Sequence, residues 1–288
     1  MTRRELLRRS ALLTALVNTG FAKDAFGHPF KKKLRIGACD WSIGKSADVT
    51  GIELAKKIGL DGIQVNLGSE ANGLHLRRKD VQEQYLHESQ KHNITIASLA
   101  IGELNNVPYK SEERTAEWVS DSIDVATAFG VKTVLLAFFA KNDLRNDEIG
   151  KKEVIRKLKL VAPKAEKQGI TLGLETYLSA QEHMDIIQAV GSKSVKVFYD
   201  FRNSADAGYD VIKEFRFLAP HICELHMKEN GQLLSKGTLD WEKICDTMLE
   251  LEYRGDGWMQ IEWSVPEKGD IIESYKHNLS FLKNLLIS

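Results

Sequence analysis

Four side chains of metal-binding type stand at the ends of four consecutive apolar runs. Glu175 closes Leu172-Gly173-Leu174-Glu175, Asp200 closes Val197-Phe198-Tyr199-Asp200, His226 follows Glu224-Leu225, and Glu262 follows Met259-Gln260-Ile261. A carboxylate at the end of an apolar strand is costly to bury unpaired, and three of them side by side repel. A divalent cation answers both problems. Three oxygen donors and one imidazole suit Mn²⁺ best, and Mg²⁺, Co²⁺ or Zn²⁺ could take the same set. Ion pairs with Lys or Arg would explain any one of the four, but explain four in succession less well. Lys228 lies two residues beyond His226, on the same strand face. It could touch a ligand or pair with Glu262 or Glu229. Trp41, Asn66 and Trp263 sit at or just beyond other strand ends, where the indoles, like Tyr177, offer flat apolar faces.

The elements that must position these residues are short apolar runs alternating with stretches of helical period, which is the pattern of repeated βα units. The runs predict strands over 35–40, 62–67, 95–101, 133–139, 171–177, 196–201, 222–227 and 259–263. Between and after them, helices are expected over 50–58, 81–92, 115–129, 151–167, 181–190, 210–218, 241–251 and 271–285. Gly59, Gly130 and Gly169 fall where helices must stop before the next strand. Eight such units point to a closed (β/α)₈ TIM barrel as a single domain over 34–288, with active-site residues at the strand C-terminal ends. An open doubly wound sheet is the competing architecture, but no G-x-G-x-x-G follows the first strand.

Composition narrows the partners. A chain of 288 residues, 43% of them hydrophobic, can bury one large core. Its formal net charge is zero, but Arg3, Arg4, Arg8 and Arg9 against Glu5 place +3 in residues 1–22, leaving −3 on the remainder. A mildly acidic body has no bulk attraction for nucleic acid or anionic lipid. The basic start, the apolar stretch 11–17 and the small residues Gly20 and Ala22 read as an export signal over 1–22, followed by a linker over 23–33. The apolar stretch is too short for a membrane span. Thr2-Arg3-Arg4-Glu5-Leu6-Leu7 resembles a twin-arginine motif, so a periplasmic protein exported folded is expected, or a cytoplasmic one if the leader is retained. Cys39, Cys223 and Cys245 are odd in number and lack CxxC spacing, which points away from a disulfide framework or a cysteine zinc site. Histidines other than His226 are expected on solvated surfaces, with His75 near enough to the mouth to touch a ligand.

The order Glu175, Asp200, His226, Glu262 resembles the metal site of the xylose-isomerase-like superfamily, in its sugar isomerase, ketose 3-epimerase and hydroxypyruvate isomerase branch. The likeness covers roughly 34–288 and is carried further by Leu174-Glu175, Tyr199-Asp200, His226-Met227-Lys228-Glu229, Gly237-Thr238-Leu239-Asp240-Trp241 and Ile261-Glu262. It implies that Glu175 and Glu262 bind the ion and serve as the acid/base pair, with Asp200 and His226 completing the ligand set. The substrate would be a small carbohydrate. A proton next to a carbonyl is removed to give an enediolate, then returned by a second carboxylate. Return to the opposite face gives an epimer, return to the neighbouring carbon an aldose–ketose isomer, and loss of a β-substituent an elimination.

Three positions depart from the ketose epimerase pattern. Asn203 stands where a substrate-binding His is usual, Gln232 where an Arg is, and Gln181 where a further Glu is. They leave open a lyase or dehydratase acting on keto-sugars or 3-keto-glycosides. A non-catalytic sugar-binding protein is the third reading, although both acid/base positions are filled. A DNA-repair role, known in the same superfamily, is disfavoured by Asn66, Asn203 and the acidic body. Association into a homo-oligomer is compatible with everything above.

Overall fold

The computed structural model describes residues 34–287, and the expected leader and linker over 1–33 lie outside them. Eight parallel strands close into a barrel in sequence order. They are β1 (Arg35–Cys39), β2 (Gly62–Asn66), β3 (Thr95–Ile101), β4 (Thr133–Phe138), β5 (Thr171–Thr176), β6 (Val195–Asp200), β7 (Ile222–Lys228) and β8 (Trp258–Glu262). Closure is made by β8 on β1, with Arg35 opposite Trp258 and Ala38 opposite Ile261. This excludes the open sheet. The strands are buried almost throughout, as parallel strands covered on both faces must be.

The outer layer comprises α1 (Gly51–Ile58), α2 (Lys79–His92), α3 (Arg114–Phe129), α4 (Glu148–Gln168), α5 (Ala180–Val190), α6 (Phe201–Asp206), α7 (Val211–Leu218), α8 (Trp241–Glu250) and α9 (Ile271–Ile287). Each long helix turns an apolar stripe to the strands, such as Ile52, Ala55 and Ile58 of α1 or Ile244 and Met248 of α8. The expected stops are left-handed, with φ of +91° at Gly59 and +68° at Gly130 and Gly169. Strand boundaries agree with the sequence reading to within a residue. The short α6 was not anticipated: six residues carry too little periodicity, and the helix exists because Asp200 caps it, Oδ1 accepting the N–H groups of Arg202 and Asn203 at 2.7 and 3.0 Å.

Two register shifts shape the interior. One lies in the β2–β3 pairing and one in the β6–β7 pairing, where Val197 faces Ile222 but Phe198 faces Glu224. Such irregularities re-aim side chains near barrel sites. Several inward positions of the lower barrel are polar. Glu224 accepts from Ser98 Oγ at 2.8 Å and Gln260 Nε2 at 2.7 Å, all three fully buried. No described helix is long and apolar enough to cross a membrane.

Candidate metal centre and substrate cleft

The four strand-end residues meet at the barrel mouth. Glu175, Asp200, His226 and Glu262 are all buried, and one ligand atom from each lies within 4.8 Å of the others. His226 Nδ1 is 2.9 Å from Glu175 Oε1, 3.7 Å from Glu262 Oε2 and 4.0 Å from Asp200 Oδ2. Because Asp200 spends Oδ1 on the α6 cap, its Oδ2 is left facing the cluster. Asp200 Oδ2 and Glu262 Oε2 accept no aligned hydrogen bond. Lys228 Nζ lies 3.3 and 3.1 Å from them, a contact of charge. Two buried anionic oxygens without hydrogen-bond donors, beside a third carboxylate and an imidazole nitrogen, are a donor set fitted to a divalent cation.

The groups perturb one another strongly. Burial pushes the Glu175 carboxyl above its ordinary range, against the pull of His226. Burial also opposes ionisation of Glu262, but Lys228, His226 and the Trp41 N–H outweigh it and draw that carboxyl down. Burial works against a charge on His226, yet Glu175 and Glu262 raise it to about 9. Lys228 is likewise held well above the usual lysine range: burial opposes its charge, but Asp200, Glu262 and Glu175 prevail. Opposite displacements of neighbouring carboxyls are a mark of functional sites.

The remaining sequence candidates fall into two groups. Trp41, Asn66, Lys228 and Trp263 line the cleft above the cluster. Trp41 also donates its indole N–H to Glu262 Oε1 at 2.7 Å. Trp263 is 48% exposed and adopts φ +46°, a conformation a bulky residue holds only where its surroundings impose it. Asn203 is buried instead, donating to Glu175 Oε1 at 3.2 Å and accepting from Lys228 at 3.1 Å, so it positions both without reaching the cleft wall. Lys228 pairs with Glu262 and Asp200, whereas Glu229 serves another purpose. Its carboxylate accepts from the N–H groups of Thr238 and Leu239 and from the Trp241 indole at 3.0 Å. A Cβ on Gly237 would lie 2.0 Å from the Glu229 carboxyl carbon, so the Gly237–Trp241 motif is a loop wrapped on a buried carboxylate.

Several expectations are corrected. His183 is buried rather than solvated, 3.0 Å from both Thr176 Oγ1 and the Ser179 carbonyl, and burial lowers its pKa to about 4. His75 turns to the Tyr85 hydroxyl at 3.3 Å and is absent from the cleft lining. Gln181 hydrogen-bonds Asp185 on an exposed helix face. All three cysteines are buried and free. Cys39 Sγ lies 3.4 Å from His226 Nε2, and Cys39, His226 and Glu262 form a second grouping close enough for an ion. Burial, reinforced by Glu262 and Glu175, raises that thiol well above the ordinary cysteine range.

The sequence reading missed Gln64. Its Oε1 lies 2.9 Å from His226 Nε2, where it can accept a ring proton while Nδ1 faces the carboxylates. The available signal was alternation: Gln64 is two residues before Asn66 and therefore faces the interior. The cleft's outer wall, including Asn72, Glu103, Asn105 and Phe139, was missed too.

A closed parallel barrel with a buried acidic cluster at the strand C-terminal ends is a TIM barrel whose polar residues gather where such barrels carry their active sites. The chain belongs to the xylose isomerase-like TIM barrel family, whose sequence profile matches residues 52–285. It is 24% identical over 177 residues to the 2-epi-5-epi-valiolone 7-phosphate 2-epimerase of an Actinoplanes species. That stretch is 61% of this chain and 65% of the relative, just under two thirds of its length. D-Psicose 3-epimerase from Clostridium cellulolyticum H10, solved with D-tagatose, superposes with a TM-score of 0.74 at 16% identity, over 88% of this chain and 99% of that one. The apo 3-keto-D-glucoside 4-epimerase of E. coli gives 0.70 at 13% identity, over 88% and 100%. At these identities the structural likeness establishes the fold.

Proposed function

We propose that this chain is a divalent-metal-dependent sugar isomerase or epimerase that works by proton abstraction beside a carbonyl, with Glu175 and Glu262 as the acid/base pair. The observation that carries the proposal is the convergence of Glu175, Asp200, His226 and Glu262, with two buried carboxylate oxygens that accept no aligned hydrogen bond and make only charge contacts with Lys228. Mn²⁺ is the ion proposed. When bound, it supplies Lewis-acid stabilisation of enediolate charge. Trp41 donates to Glu262 Oε1 and Asn203 to Glu175 Oε1, so both carboxyls are held in a fixed orientation at the mouth of the barrel. In a reversible epimerisation the two carboxyls trade roles with direction. Trp41 and Trp263 supply apolar faces to sugar C–H groups.

The family, and relatives named as epimerases, support sugar chemistry. Release of a β-substituent from a keto-glycoside is the second reading, favoured by Gln181 lying outside the cleft that the epimerase pattern would place it in. Purified protein with Mn²⁺ should exchange a carbon-bound proton of a ketohexose or keto-glucoside into D₂O. Epimer formation against aglycone release separates the two reactions. Glu175→Gln and Glu262→Gln should each lower turnover by more than about 100-fold and weaken Mn²⁺ binding; unchanged binding and turnover in both would sink the assignment. Export through the leader over 1–22 is part of the same proposal, tested by fractionating cells that express the full chain and an Arg3→Lys, Arg4→Lys form.

A further inference from the structure

The cleft above the cluster encloses about 450 Å³ and runs from Glu175, Lys228 and Glu262 outward over the loops that follow β2, β3 and β4. That volume falls among sites for drug-sized ligands, roughly 300–1,000 Å³, and exceeds what one sugar ring fills. Its far wall is built of side-chain amides. Asn66 Oδ1 accepts the Gly68 N–H at 3.1 Å, Asn72 Oδ1 those of Ser69 and His75 at 2.9 and 3.3 Å, and Asn105 Oδ1 that of Phe139 at 2.9 Å. With each oxygen committed to backbone, what each side chain has to offer a ligand is its NH₂ group. The loops are also tied to one another. Glu103 accepts from the Glu70 N–H at 3.1 Å and from Asn106 Nδ2 at 3.0 Å, so the wall is formed in advance and a ligand need not order it.

The charge pattern narrows the ligand. Among the described residues lining the cleft, the one cation is Lys228, already 3.1–3.3 Å from Glu262 and Asp200, while Glu103 and Glu175 add negative charge. A phosphate needs uncommitted cations or converging backbone N–H groups. This wall instead presents neutral donors suited to hydroxyl, ring and glycosidic oxygens.

We propose that the Asn66–Asn72–Asn105 wall is a second subsite that holds an uncharged glycosyl or aglycone group, so that the substrate is a neutral glycoside rather than a free monosaccharide or a sugar phosphate. The proposal rests on the sugar-enzyme reading above and adds the substrate class to it.

Calorimetry on the full chain loaded with Mn²⁺ tests it without requiring turnover. The probes are D-fructose, D-fructose 6-phosphate, and the keto-disaccharides lactulose and isomaltulose, which carry a second sugar on different oxygens of fructose. At least one disaccharide should bind about tenfold or more tightly than D-fructose, and the phosphate no more tightly than D-fructose. Asn72→Asp and Asn105→Asp keep the oxygen that pins the loop but lose the NH₂ donor. Each should weaken the disaccharide about tenfold and leave D-fructose unchanged. The proposal fails if neither disaccharide outbinds D-fructose, if the phosphate binds most tightly, or if the variants weaken all sugars alike. D-fructose binding and exchanging its proton with no disaccharide advantage would overturn the subsite alone. Absence of any sugar binding and of exchange would overturn the sugar-enzyme reading with it.

Discussion

Replacing Gln64 with leucine probes how far ion binding depends on the floor beneath the imidazole. Gln64 Oε1 lies 2.9 Å from His226 Nε2 and 3.2 Å from Cys39 Sγ, and all three residues are fully buried. Leucine occupies a similar volume but leaves a buried N–H unpaired, at a cost of about 1–3 kcal/mol. It also removes the reason for the ring proton to stay on Nε2, so Nδ1 no longer presents a lone pair to Glu175, Asp200 and Glu262 by default. Orienting partners of ligating histidines are worth roughly 10–100-fold in affinity, or about 1.4–2.7 kcal/mol, which matches the cost of the orphaned donor. Calorimetric titration with Mn²⁺ should therefore give a Kd about 10–100 times higher for Gln64→Leu. A Gln64→Leu protein that remains folded and binds Mn²⁺ as tightly as the wild type would refute the reasoning.

Trp41→Phe removes the 2.7 Å donor to Glu262 Oε1, a bond to a charged group worth about 1.5–3 kcal/mol. The Glu262 carboxyl should rise, moving the acid limb of kcat/KM to higher pH and lowering kcat about tenfold or more; a profile that superimposes on the wild type would reduce Trp41 to packing. His183 titrates near 6.5 unfolded but about 4 in the folded protein. A depressed base stabilises the fold above pH 6.5, and that contribution, about 3 kcal/mol, is lost as pH falls toward 4. Urea unfolding at pH 7.5 and 4.5 should show the wild type losing about that much more than His183→Gln; equal losses would mean the ring is not held neutral. Gly237→Ala puts a Cβ 2.0 Å from the Glu229 carboxyl carbon. It should cost about 2 kcal/mol, roughly 4–8 °C in Tm by scanning calorimetry, and an unchanged Tm would show that the loop has slack.

The barrel and the four cluster residues were legible because each of the four lies at, or within two residues of, the end of an apolar strand, and in a parallel barrel all strand ends share one mouth. What lies a layer below was not legible. Gln64, Ser98, Glu224 and Gln260 interrupt otherwise apolar runs, and their partners are on other strands, at registers shifted by the two irregularities. Their signal was inward period, since Glu224 and Gln260 each precede a ligand by two residues. Asn203 was placed in the cleft by its offset from Asp200, but the capped α6 turns it inward onto Glu175 and Lys228. The amide wall was hidden for a different reason. Asn72 and Asn105 sit in loops, where no repeat ties position to direction, and the bonds that fix them are to backbone groups that sequence does not single out.

Charge accounting links these layers. Three carboxylates and Lys228 leave the mouth two negative charges in excess when His226 is neutral, and the proposed divalent ion would cancel them. That excess is why Glu175 and Glu262 draw His226 up to about 9 against its burial, while burial, reinforced by Glu262 and Asp200, raises the Glu175 carboxyl. Uptake of the proposed ion would then be an exchange of cation for proton at buried atoms. Such an exchange can be tuned at the mouth only if the floor adds little charge of its own. Gln64 and Gln260 are neutral, and burial raises Glu224 to about 7, with Ser98 and Gln260 donating to one of its oxygens. A fully ionised carboxylate there would add to the excess and drive His226 further toward protonation, setting protons against the ion for Nδ1. The polar floor thus does two things that apolar packing could not: it fixes the imidazole's orientation through Gln64, and it does so without an additional full charge below the cluster.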